Sequence, residues 1–147
     1  IAAENPIRQS HSQSIPEEHR NGLCAPTFTY GCSSGDGFTD FAVEEIQNLG
    51  SACQNNTGVP GWSTYYNLGP ATLIAGQSHT FSMRSAYTNQ FVNIWIDFND
   101  DNTLANDERI LTNYNLTSAN TWYHVSVSIP EDALPGLHKM RAMFRCL

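Results

Sequence analysis

Phe91-Val-Asn-Ile-Trp-Ile-Asp97-Phe-Asn99-Asp-Asp101-Asn-Thr103-Leu-Ala105-Asn-Asp107-Glu108 changes character half-way. Val92, Ile94, Ile96 and Phe98 share one face of an extended strand, with Asn93, Trp95 and Asp97 on the other. From Asp97 onward, oxygen-bearing side chains take over. With Asp97 as position 1, Asn99 stands at 3, Asp101 at 5, Thr103 at 7, Ala105 at 9 and Glu108 at 12. This is the ligand spacing of an EF-hand calcium loop, where position 7 gives a backbone carbonyl, position 9 often acts through water and position 12 chelates with both oxygens. Asp107 adds a further carboxylate beside Glu108. Asn102 replaces the usual glycine at position 6, and asparagine tolerates the left-handed backbone conformation required there. An EF-hand is flanked by helices, whereas a strand leads into this run. The expectation is therefore a calcium loop set between strands.

The competing reading is an Asx-rich turn, a common way to join two strands. Against it stand the adjacent like charges Asp100-Asp101 and Asp107-Glu108, which have only Arg109 close in sequence to offset them. Magnesium suits the run less well, because it prefers few carboxylates and retained waters.

At 147 residues the chain suits one domain with a real core. Charged residues make up 14% and aromatics 11%, a balance that favours a secreted β-protein over a helical or disordered chain. The net charge of −7 argues against nucleic acid and anionic membrane surfaces as partners. No apolar run approaches the length of a membrane span. The first residue is Ile1 and no signal-like segment is present, so a mature or excised product is expected. Cys24, Cys32, Cys53 and Cys146 suit two disulfides in an oxidising, extracellular setting, with three connectivities open. No cysteine pair has zinc-finger spacing. Asn55-Asn-Thr57 and Asn115-Leu-Thr117 are glycosylation sequons in polar stretches.

Residues 1–23 read as an extended polar arm, and 24–147 as the folded domain. Phe38–Leu49 is ambiguous: Phe38, Phe41, Ala42, Ile46 and Leu49 have helical spacing, while Phe41 and Val43 alternate as in a strand. Clearer alternation runs through Gln77–Tyr87, Phe91–Phe98, Trp122–Ile129 and Leu137–Cys146, and a short strand, Arg109–Thr112, follows the acidic loop. Such strands, separated by turn signals, predict an all-β antiparallel β-sandwich of jelly-roll or immunoglobulin-like type.

Cys24-Ala-Pro, Gly31-Cys32-Ser-Ser-Gly35-Asp36, Gly50-Ser-Ala-Cys53, and Trp95-Ile-Asp97-Phe-Asn99-x-Asp101 with Glu108 form a recognisable set. Ile129-Pro130, Ala133, Gly136 and Met140-Arg141 complete it. Over about Cys24 to Cys146 the chain resembles the GEVED domain, a β-sandwich module of secreted, mostly bacterial, surface proteins and proteases. The resemblance implies an extracellular accessory domain without chemistry of its own. Asn102 departs from the family's usual glycine. The sequence also stops at Leu147, before the Gly-Glu-Val-Glu-Asp-Tyr segment and its strand, so an open sheet edge is expected at Leu137–Cys146 or a neighbour.

No motif of hydrolytic or phosphate chemistry occurs, and the five histidines (His11, His19, His79, His124 and His138) are scattered, so no enzyme is expected. Glu44-Glu45 and Glu131-Asp132 are read as solvated carboxylates rather than a catalytic pair. The leading expectation is an extracellular, calcium- and disulfide-stabilised subunit. It would form a homopolymeric fibre by inserting its N-terminal arm into a neighbour's open edge. The alternative is a carbohydrate- or protein-binding accessory module, with Trp62, Tyr65, Tyr66, Trp122 and Tyr123 as candidate contacts if they are not core.

Overall fold

Alternation becomes structure in two sheets. The computed structural model describes residues 4–8, 37–52, 63–65 and 67–145. Its strands are β1 (Glu4–Arg8), β2 (Phe38–Val43), β3 (Ile46–Leu49), β4 (Pro70–Ile74), β5 (Ser78–Ser85), β6 (Gln90–Asp97), β7 (Arg109–Leu116), β8 (Tyr123–Ser128) and β9 (His138–Arg145). One sheet has the order β4-β1-β9-β6-β7 and the other β3-β2-β5-β8. All pairings are antiparallel except β1 with β9.

The sheets bury their period-2 faces in one core. Val92, Ile94 and Ile96 of β6 meet Phe81 and Met83 of β5, Val125 and Val127 of β8, and Ala71 and Leu73 of β4. Met140 of β9 is buried with them, while Ala142 and Phe144 pack alongside. The expected sandwich is thus observed; in Gln77–Tyr87 the alternation holds as far as Phe81 and Met83, which are buried, while Tyr87, beyond the end of β5, is exposed.

The ambiguous stretch Phe38–Leu49 resolves as a hairpin. Val43 pairs with Ile46 across Glu44-Glu45. Glu44 has φ +45°, unusual for a side chain other than glycine or asparagine. Two contacts offset that local cost. His79 Nε2 accepts the Ile74 N–H, which leaves Nδ1–H to donate to Glu44 Oε1 at 2.7 Å. Glu45 Oε2 accepts the Thr72 N–H, also at 2.7 Å, and this bond holds the Glu45 carboxyl below its ordinary range. The two glutamates are turn residues that tie β2–β3 to β4 and β5.

Two strands went unrecognised in the sequence. β4 is short and begins at Pro70, which a strand tolerates at its first residue on a sheet edge. The segment Glu4–Arg8 lies inside a sheet: it pairs with β4 from Glu4↔Ile74 to Arg8↔Pro70, and with β9 at Ile7↔His138 and Arg8↔Lys139. β9, expected near an open edge, is therefore interior. In the single chain, the N-terminal strand takes the intramolecular alternative to insertion into a neighbour.

Candidate metal centre

β6 carries the site. It is flanked by β7 and β9, and Asn93 on its outer face is closed off by Asn113, whose Oδ1 accepts from Asn93 Nδ2 at 3.1 Å. Asn113 N–H donates to Asn93 Oδ1 at 3.0 Å, and Asn113 sits at φ +48° where the β6–β7 register shifts. On that face of β6, Asn93 and Asp97 are buried, Asp97 wholly, while Phe91 and Trp95 are partly exposed. Beyond Asp97 the chain leaves the sheet.

Short local bonds coil the loop. Asp101 N–H donates to Asn99 Oδ1 (2.9 Å), Thr103 N–H to Asp101 Oδ1 (2.7 Å), and Asn102 N–H to Asp97 Oδ2 (3.1 Å). Asn99 Nδ2 donates to Asp101 Oδ2 at 3.1 Å. Asn102 has φ +65°, the left-handed conformation expected at position 6, and Asp100 has φ +57°. Ile96 N–H donates to the Glu108 carbonyl at 3.0 Å, closing the loop's ends. Glu108 is buried. Its Oε1 accepts from the Phe98 and Asn99 N–H groups (3.1 and 3.4 Å), and its Oε2 from Ala105 (3.0 Å).

Carboxylate oxygens of Asp97, Asp101 and Glu108 lie within 4.8 Å of one another. These are positions 1, 5 and 12 of the expected ligand set. Burial pushes the Asp97 carboxyl up, the Asn102 N–H counters it, and the negative charges of Glu108, Asp100 and Asp101 add to the upward shift. Asp97 Oδ1 is buried and has no hydrogen-bond partner among the described residues. Arg109 lies against the Trp95 ring at 5.8 Å, and Lys139, opposite Asp97 in the ladder, donates to Asn102 Oδ1. An orphaned buried carboxylate oxygen beside two further carboxylates fits a hard cation with oxygen ligands. The cluster could hold a metal ion.

The other expected residues are placed less centrally. Asn99 and Thr103 are exposed loop residues, and Asp107 is exposed in the turn before Glu108, outside the three-carboxylate group. Asn115 lies half-buried in β7. Cys24, Cys32, Cys53, Cys146, Asn55, His11, His19, Trp62 and Tyr66 lie outside the described residues. Sequence reasoning missed the support of the loop from β9. His138 Nε2–H donates to the Leu134 carbonyl at 2.8 Å while Nδ1 meets Asp100 Oδ1 at 3.2 Å. Only the register Asp97↔Lys139 brings these residues to the loop, and no local pattern encodes it.

On the outer face of the four-stranded sheet, Ser82 and His124 are cross-strand neighbours joined at 2.7 Å. Among the described residues no carboxylate hydrogen-bonds that imidazole, so the third group of a nucleophile–base–orienter arrangement is missing.

Residues 91–146, from β6 through the acidic loop to the end of β9, match the GEVED domain family. No curated protein and no solved structure matches the chain.

Proposed function

We propose that this is a non-catalytic, extracellular structural subunit in which the Asp97–Glu108 loop takes calcium, and that copies join by exchanging β1. The position of β1 carries the assembly reading. A short strand occupies an interior place between β4 and β9, delivered over the long connection that separates Arg8 from Phe38. Another copy's β1 could make the same ladder bonds, so exchange is a low-cost route to association. When each copy gives a strand to the next and the rotation does not close, the product is a fibre. The even cysteine count and the two sequons support the extracellular setting.

For the metal, the supporting observation is the orphaned Asp97 Oδ1 facing Asp101 and Glu108. Two unit charges 4.8 Å apart repel by about 3–4 kcal/mol at an effective dielectric of about 20. A divalent cation reverses the sign of that interaction. Asp97, Asp101 and Glu108 would hold it, with the Thr103 carbonyl and Asn99 completing the oxygen set. Its contribution is to fix the loop and strand ends.

Assembly is tested by sedimentation of the intact chain in calcium over a wide concentration range, beside an Asn5→Pro/Ile7→Pro variant that removes β1 ladder donors. Concentration-dependent linear oligomers lost in the variant are expected. An intact chain that stays monomeric, or a variant that polymerises equally, contradicts strand exchange.

A second reading has its own observation. Trp122 is partly exposed beside a shallow groove lined by Gln47, Leu49, Ser82 and His124. An indole flanked by hydrogen-bonding side chains suits a sugar or a partner surface, the work of an accessory binding module. Binding to a glycan panel that is lost in Trp122→Ala would favour this reading.

A further inference from the structure

The residues that support the acidic loop are also those that seat β1. Loop residues Asp100 and Asn102, which are not in the expected ligand set, reach across to His138 and Lys139. His138 is buried, held by the Leu134 carbonyl and in edge contact with Phe98 at 5.8 Å. His138 and Lys139 are also the two β9 residues at which β1 makes its parallel pairing, through Ile7 and Arg8. One pair of adjacent residues thus faces the loop through its side chains and β1 through its backbone.

We propose that calcium occupancy of the loop governs the seating of β1. This rests on the calcium reading above. A loop fixed by metal holds Asp100 and Asn102 against His138 and Lys139, keeping the start of β9 straight and paired. A loop without metal, with its carboxylates repelling, loosens that support, so that β1 seats less firmly beside β9 whichever copy supplies it. The coupling is reciprocal: whatever factor calcium adds to β1 seating, seated β1 adds to calcium affinity.

Hydrogen-exchange mass spectrometry on the full chain, with calcium chloride or with a chelator, reads this at the amides of residues 4–8. Calorimetric titration with calcium chloride runs in parallel. Calcium is expected to slow exchange at residues 4–8 by about tenfold, within the usual range of coupling between sites. In Lys139→Met, which removes one support without touching a ligand, calcium should still bind while the protection gained falls below about threefold. Binding heat in the wild type with unchanged protection at residues 4–8 overturns the coupling and leaves the calcium reading intact. Absence of binding heat overturns both. Calcium-dependent protection with no assembly at any concentration retains the coupling and removes only the exchange reading.

Discussion

Asp40 and Asp97 are both buried aspartates, and their surroundings treat them oppositely. Burial works to raise the Asp40 carboxyl, but Arg84, the Gly50 N–H and Thr39 outweigh it and hold it below its ordinary value of 3.8. Arg84 Nε donates to Asp40 Oδ2 at 2.7 Å and Gly50 N–H to Oδ1 at 2.9 Å. A carboxylate with a depressed folded pKa stabilises fully above its unfolded pKa, and that stability is lost as pH falls through the folded one. The Arg84 side chain is about a third exposed, so the pair is worth about 0.5–1 kcal/mol. Asp40→Asn should lower the melting temperature at neutral pH and flatten the loss of stability below about pH 4, where the unperturbed carboxyl titrates. Equal acid sensitivity in wild type and variant would show that the pair does not contribute. Among the described residues no such cation is bonded to Asp97, which has one N–H and neighbouring negative charge.

At the scale of elements, the strands that were legible in the sequence are those with one buried face. Val92, Ile94 and Ile96, or Val125 and Val127, announce themselves because burial is enforced at every second residue. The β2–β3 hairpin was not, because its Glu44-Glu45 turn lacks the usual glycine or asparagine and gains its support from His79 and Thr72, distant in sequence. β1 was illegible for the same reason: its partners are residues 70–74 and 138–139, and its own sequence, Glu-Asn-Pro-Ile-Arg, has little strand character. The acidic loop was largely readable, since its ligand spacing is local. Its β9 support was not. Ile94, fully buried on a central strand, gives a check on the core: Ile94→Ala should cost about 2–5 kcal/mol in denaturant unfolding. A cost under about 1 kcal/mol would mean that the sheets do not pack as described.

For the whole molecule, the proposed extracellular setting requires a fold that holds together without a cell to repair it. The four cysteines are expected to be paired, so thiol titration of the denatured, unreduced protein should find none free. Two or more free thiols would defeat that expectation. The central claim is that a cation completes the Asp97–Asp101–Glu108 cluster and stabilises the sandwich around it. The direct measurement is thermal unfolding of the intact chain in calcium and in chelator, with Glu108→Gln alongside. At calcium about a hundredfold above its dissociation constant the gain is about 2.7 kcal/mol, or a rise in Tm of about 5–11 °C, which Glu108→Gln should largely abolish. Superimposable wild-type melting curves in calcium and in chelator would contradict it and leave the loop as a turn.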